Sequence, residues 1–266
     1  MGGRMLFMKR LLIVLLILSL LAADLGLRIL NIYGADDSNI TVNIPDPNLK
    51  QALLDKGADT NKDGNISRGE MAALADPGHI GNGLASLDFG GRGIKDLTGL
   101  EYAVNVTNIG VSKNEIRDLS PLAKLTELEI LTLDNNNIAD LTPIMQLPSL
   151  RLLSMNTIGM SNLSAFANSN LPNLQFLYVG QNNITDISPL EKLTGLRVLS
   201  ITINNVSDIS ALRRMTSMQS MHASSNRITD ISPLQGMTAL TDLFVYRNNI
   251  TDISAIRNMK SLQTLE

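Results

Sequence analysis

Leu174-Gln175-Phe176-Leu177-Tyr178-Val179-Gly180-Gln181-Asn182-Asn183-Ile184-Thr185-Asp186-Ile187-Ser188-Pro189-Leu190 repeats itself 22 residues later as Leu196, Leu199, Ile201, Asn204, Val206, Asp208, Ile209 and Leu212. Two further copies begin at Met218 and Leu240. The shared pattern is L-x-x-L-x-L-x-x-N-x-I-x-D-[IL]-x-x-L. A unit this short cannot enclose its own apolar side chains, so it must stack on its neighbours and share one continuous core. The pattern predicts a solenoid with one exposed concave surface, which is where function should be sought.

Outward from that stretch, units begin at Leu84, Val106, Leu128, Leu150, Leu174, Leu196, Met218 and Leu240, with a ninth opened at Leu262. One interval departs from 22: between Leu150 and Leu174 it is 24, and the same unit carries Ile158 and Asn162 where the others carry Asn and Asp. A local distortion is expected there. The first unit has Arg92 at the Asn position, whereas Asn114, Asn136, Asn182, Asn204, Asn226 and Asn248 recur in register. A buried amide there can bond backbone groups that no strand ladder satisfies. Ser120-Pro121, Thr142-Pro143, Ser188-Pro189 and Ser232-Pro233 read as caps, with Pro opening a short turn on the convex side. The Asn-x-Ser/Thr triplets at Asn183, Asn205 and Asn249 arise from the repeat and read as architecture. Ser261 to Glu266 opens a unit without finishing it, so the expectation is a truncated product or a last edge covered by another chain.

Ahead of the repeats, Arg4, Lys9 and Arg10 precede the apolar run Leu11 to Ala23, which Asp24 and Arg28 end. The run is about 13 residues, short of the roughly 20 that span a bilayer, so residues 1–35 read as a signal peptide or signal anchor. Its expected consequence is a secreted or cell-surface protein that meets the membrane only through an uncleaved leader. The chain has 266 residues, 44% of them hydrophobic and 3% aromatic, so the core must be built from Leu, Ile, Val and Met. It has no cysteine, which excludes a disulfide framework and thiol catalysis. A formal charge of −3, without a Lys/Arg-rich face, argues against nucleic acid as a partner.

Between leader and repeats, Asp46 stands as an N-cap with Pro47 at the first helical position, predicting a helix to about Lys56. A second short helix is expected from about Ser67 to Leu74, and Pro77 to Gly83 forms a glycine-rich joint. Between the helices lies Asp59-Thr60-Asn61-Lys62-Asp63-Gly64-Asn65-Ile66-Ser67-Arg68-Gly69-Glu70, which matches D-x-[DN]-x-[DN]-G-x5-E. Asp59, Asn61 and Asp63 offer side-chain oxygens at positions 1, 3 and 5, Asn65 its carbonyl at 7, Ser67 a hydroxyl at 9 and Glu70 a bidentate carboxylate at 12. A hard divalent cation needs six to eight such oxygens, so the loop predicts an EF-hand-like calcium site acting as a structural clamp. The competing reading is an Asp/Asn-rich turn that folds without metal. With no second such loop, paired-site cooperativity is not expected.

The segment Ile44-Pro45-Asp46-Pro47-Asn48-Leu49, with Gly93-Ile94-Lys95-Asp96-Leu97-Thr98-Gly99-Leu100-Glu101-Tyr102-Ala103, resembles the cap and first repeat of bacterial internalin-type leucine-rich repeat proteins of the 22-residue class. The resemblance covers roughly residues 41–266. It implies an α/β solenoid, a right-handed leucine-rich repeat horseshoe with a parallel concave sheet and short 3-10 or irregular convex segments. A small helical cap over 41–83 would precede repeats over 84–266. It also implies recognition of a protein on the concave face.

Strand neighbours alternate faces, so the third, fifth, seventh and eighth positions of each unit face the concave side. Phe176 and Tyr178 fall together in one strand by this count, and Phe244 and Tyr246 in another, about 14 Å away across three strand spacings. Val198, Ile203 and His222 lie between. Phe176, Tyr178, His222, Phe244 and Tyr246 are therefore the expected partner-binding residues, since aromatic anchors on a small, polar surface serve as interface hot spots. Asp88, Asp134 and Asp242 belong to separate units and cannot form an acid/base pair, and no nucleophile elbow, phosphate loop or zinc pattern occurs. An enzyme is not expected. Two other readings stay open: a structural spacer in a cell-surface assembly, and an intracellular phosphatase-regulating repeat protein, against which the leader and calcium loop speak.

Overall fold

The computed structural model describes residues 37–74 and 87–266. The expected leader over 1–35 and the joint from Pro77 to Gly83 lie outside them. Among the described residues no helix is long and apolar enough to cross a membrane.

The 22-residue period becomes one strand per unit. These are β1 (Leu87–Asp88), β2 (Asn108–Gly110), β3 (Ile130–Thr132), β4 (Leu152–Ser154), β5 (Phe176–Tyr178), β6 (Val198–Ser200), β7 (Ser220–His222), β8 (Asp242–Phe244) and β9 (Thr264–Leu265). They form one parallel sheet in chain order. The central residue of each strand points inward, so Leu131, Leu153, Leu177, Leu199, Met221 and Leu243 stack in register and are fully buried. Each such side chain contributes about 1.5–3 kcal/mol of hydrophobic stabilisation. Short 3-10 helices, such as Ser120–Leu122, Ser188–Leu190 and Ser232–Leu234, return the chain on the opposite side.

The capping expectation needs a correction. The serines and threonine before the prolines are the first helical residues and do not cap. The capping side chain is the repeat's aspartate, two residues earlier. Asp118, Asp186 and Asp230 each accept the N–H of the serine two positions on through one oxygen and its hydroxyl through the other, and Asp140 accepts both the N–H and the hydroxyl of Thr142 through Oδ1. A carboxylate is the stronger acceptor for an unsatisfied first-turn N–H.

The 24-residue interval leaves the sheet untouched, for Leu153 pairs with Leu177 like any other strand centre. The extra length follows Asn162, on the convex side. There the 3-10 helix extends over Ser164–Asn168, buried Phe166 fills the core, and the Asn170 N–H donates to Met145 O at 2.8 Å.

The repeating asparagines, all buried except the half-buried Asn248, stitch adjacent units. Asn204 Oδ1 accepts Ile184 N–H at 3.0 Å, while its Nδ2 donates to Val179 O at 3.0 Å and Ile201 O at 2.9 Å. Asn182 Nδ2 also reaches Val179 O, and Asn226 Nδ2 reaches Ile201 O, so these carbonyls are shared between two amides. Where a unit lacks its own Asn, the next one accepts twice. Asn114 takes Arg92 and Ile94 N–H, and Asn182 takes Ile158 and Met160 N–H.

The cap supplies α1 (Pro47–Asp55) and α2 (Arg68–Ala73), each within a residue or so of the expected limits. Asp46 does more than cap α1. Its Oδ1 accepts Asn48 and Leu49 N–H, and its Oδ2 accepts Lys95 N–H at 2.7 Å and Asp96 N–H at 3.1 Å in the first unit. Burial raises its pKa, but these backbone donors outweigh that and lower it. Arg92 also acquires a reason: it pairs with Asp55 of α1 at 2.6 Å, because this unit faces a helix where later units face a repeat.

Candidate functional site

Two regions collect the residues that the sequence singled out. The first is the loop between α1 and α2, where Lys62 (φ 62°) and Gly64 (φ 84°) take left-handed conformations that fold it back on itself. Asp59 accepts Asp63 N–H through Oδ1 and Gly64 N–H through Oδ2. Asn61 Oδ1 accepts Asp63 N–H, Asp63 Oδ1 accepts Asn65 N–H, and Asn61 Nδ2 donates to Asp63 Oδ2. Glu70 Oε1 accepts Thr60 N–H and hydroxyl at 2.9 Å each and Asn61 N–H at 3.2 Å, while Oε2 accepts Ser67 N–H and hydroxyl at 2.9 Å each. Ser67 and Glu70 thereby form a capping box at the start of α2. Burial raises the Glu70 pKa, yet these donors outweigh it and hold the carboxyl at about 2.

All six expected ligands thus lie along one closed loop, with oxygens of the right chemistry for a hard cation. Those oxygens bond to the loop's own donors, and among the described residues no three acidic or histidine side chains converge as a ready-made cage. Ile66 is buried, and its carbonyl accepts Val42 N–H at 2.8 Å; Arg68 N–H donates to Ile40 O at 2.9 Å. The segment ahead of α1 thus pairs along the loop's edge, in the single bridge Thr41–Ser67.

The second region is the outward face of the sheet. Register places Ile130, Leu152, Phe176 and Val198 side by side on four consecutive strands, all half-buried. One column over, Tyr178, Ser200, His222 and Phe244 are aligned. His222 stacks on Phe244 with centroids 4.7 Å apart and planes 20° apart. Tyr246 needs correcting: it lies beyond β8 in the following turn and does not share a strand with Phe244. The exposed apolar surface is therefore a diagonal band from Ile130 on β3 to Tyr246 after β8, about 24 Å across five strand spacings.

A model of "Leucine Rich repeats (2 copies)" matches residues 104–144, 172–214 and 216–258. No curated protein matches the chain by sequence. Among solved structures, internalin C2 of Listeria monocytogenes is 30% identical, covering 83% of this chain and 93% of that one with a TM-score of 0.74. The chain belongs to the internalin family of leucine-rich repeat proteins. Listerial internalin F is 25% identical over 84% of this chain and 75% of its own, with a TM-score of 0.60. InlJ, also from Listeria monocytogenes, is 27% identical over 76% of this chain with the same TM-score; the match spans 41% of that chain. Its functional domain includes a cysteine ladder, which a chain without cysteine cannot build.

On this internalin's sheet face Asp134 and Asp242 are engaged locally. Asp134 Oδ1 accepts the Ser154 hydroxyl and Asn156 N–H, both at 2.7 Å, and Asn156 Oδ1 accepts Gly180 N–H at 2.7 Å, which makes a fixed polar floor beside the band. Burial lowers the His222 pKa against the opposing pull of Asp242, so the ring is mainly neutral near pH 7. Its Nε2 lies 3.0 Å from Ser220 Oγ. Bonding from the Thr241 and Thr264 side chains lowers the Asp242 pKa, and burial pushes the Tyr178 phenol up. Sequence reasoning missed Ile130 and Leu152 because it looked for aromatics. The unit period already put them in the column of Phe176.

It also missed the left-handed column. Lys113, Asn135, Thr157, Gln181, Ile203, Ser225 and Arg247 all have φ between 53° and 58° at the same unit position, where the first unit has Gly91. Asn and Gly tolerate this conformation, whereas for β-branched Thr157 and Ile203 it is strained.

Proposed function

We propose that this internalin is exported and binds a protein partner on its concave face, with calcium held in the cap loop. The observation that carries the reading is the diagonal band. Phe176, Tyr178, His222, Phe244 and Tyr246 join Ile130, Leu152 and Val198 in one strip over a hydrogen-bonded polar floor. A rigid aromatic strip rimmed by polar groups is the anatomy of an interface hot spot, and the internalin fold offers it on a preformed surface. Tyr178→Ala and Phe244→Ala should each weaken capture of a partner from surface-protein extracts by about tenfold or more, with the melting temperature nearly unchanged. Unaltered capture by both variants rules the strip out.

The calcium reading is supported by the donor set. Asp59, Asn61, Asp63, the Asn65 carbonyl, Ser67 and Glu70 offer oxygens at the spacing a hard cation needs. When bound, the ion would supply a fixed positive charge that holds the loop. Since Glu70 already satisfies donors of Thr60, Asn61 and Ser67, engaging it costs part of that bonding, and affinity should be modest. Calorimetric titration should show heat with the wild type and none with Glu70→Ala, alongside a calcium-dependent rise in melting temperature. Absence of both signals in the wild type would make the loop a metal-free turn.

A further inference from the structure

Every ion pair among the described residues lies between Asp37 and Arg151: Arg68–Asp37, Arg92–Asp55, Lys95–Glu115 and Arg151–Glu129. Beyond Arg151 none of the described bases joins an ion pair, while all five aspartates accept hydrogen bonds. Asp186, Asp208, Asp230 and Asp252 each accept a serine N–H two residues on, and Asp242 accepts the Thr241 hydroxyl. Two of those bases, Arg227 and Arg247, are exposed in the turns that leave β7 and β8. The same rim carries Ile203, 50% exposed, and Tyr246, 47% exposed.

These turns are tied together. Ile203 N–H donates to Ser224 O and Ser225 N–H donates to Tyr246 O, both at 2.9 Å, so Ile203, Ser225 and Arg247 occupy one position in three consecutive units, about 10 Å end to end. Ser224, between them, is 1% exposed and its hydroxyl has no partner among the described residues. Ile203 breaks the local rules twice: it is a β-branched side chain at φ 55°, and it is apolar yet half in solvent. Thr157 shares the strained turn, so what sets Ile203 apart is an apolar side chain left half in solvent, and that points to an outside contact.

We propose that the rim formed by Ile203, Arg227, Tyr246 and Arg247 docks an acidic peptide segment of the protein partner, with carboxylates meeting the two guanidinium groups and apolar side chains covering Ile203 and Tyr246. Arginine forks pair with carboxylates through two parallel hydrogen bonds, and among the described residues no carboxylate forms an ion pair with Arg227 or Arg247. The inference rests on the concave-face reading and extends it, since Tyr246 ends the band.

The test uses the full chain and two fluorescent peptides of about eight residues, one alternating Glu with Phe and the other Lys with Phe. The acidic peptide should bind and weaken as salt rises, and the basic one should not. Arg227→Gln and Arg247→Gln should each weaken the acidic peptide about tenfold. Ile203→Asn should raise the melting temperature while weakening the peptide, a combination that a purely structural role does not produce. Equal binding of both peptides, no binding of the acidic one, or indifference to the arginine substitutions overturns the inference. If those results come while Tyr178→Ala still impairs partner capture, only the rim falls. Intact capture by both Tyr178→Ala and Phe244→Ala removes the concave-face reading as well.

Discussion

Asn182 and Asn204 hold the same place in consecutive units, yet their removal should not cost the same. In Asn204→Ala, Val179 O keeps Asn182 Nδ2 and Ile201 O keeps Asn226 Nδ2, so neither carbonyl is orphaned. The Ile184 N–H is, because Asn204 Oδ1 is its acceptor in a fully buried position. One stranded N–H costs about 1–3 kcal/mol and the two lost donor bonds about 1 kcal/mol together in net terms, or about 3 kcal/mol overall. Asn182→Ala strands two N–H groups, those of Ile158 and Met160, since the unit before it has Ile158 in place of an amide. It should cost about 1–2 kcal/mol more than Asn204→Ala. Urea unfolding of the wild type and both variants measures the difference, provided the m-values agree; a solenoid can unfold in parts, and a changed m would reveal that. Equal losses, or a loss below about 1 kcal/mol in either variant, would refute the shared-carbonyl account of the ladder.

Asp46→Ala removes the acceptor for four N–H groups that join α1 to the first unit, and should destabilise the cap by about 3 kcal/mol, read as loss of the first unfolding step or of a single cooperative transition. The Glu70 clasp should make the metal-free protein acid-sensitive. Its folded pKa, about 2, lies below the ordinary 4.5, so the stabilisation is complete above about pH 4.5 and drains away as pH falls toward 2. Melting temperatures in chelator from pH 6 to 2.5 should fall more steeply for the wild type than for Glu70→Gln, and parallel curves would show that the clasp adds nothing.

Much of this architecture is legible in the sequence because a strict period converts directly into register. Counting by 22 from Leu177 places Leu199, Met221 and Leu243 in one buried row, as the sheet has them. What periodicity could not reveal was the side of the unit that takes an insertion. The extra length near Phe166 lies on the convex side, where no ladder fixes the spacing. Ser-Pro pairs read as caps by residue type, but the stronger acceptor, a carboxylate two residues earlier, takes the role. The left-handed turn was hidden because Lys113, Gln181 and Ile203 do not announce positive φ; the stacked turns impose it. Tyr246 fell outside its assigned strand because each strand spans only about three residues of the unit. Glu70 carries a further lesson, since a pattern that names metal ligands also spells a capping box, and the same oxygens serve both.

The most direct test of recognition on the concave face is to obstruct it without choosing among its aromatics. Ser200 lies between Tyr178 and His222 in the second column, so Ser200→Arg should place a long cation in the middle of the band. Thr194→Arg, at an exposed position outside the sheet, is the control. The measurement is partner capture by both variants at matched melting temperature. Loss with Ser200→Arg and retention with Thr194→Arg is the predicted result, and undiminished capture by Ser200→Arg would contradict binding on this face.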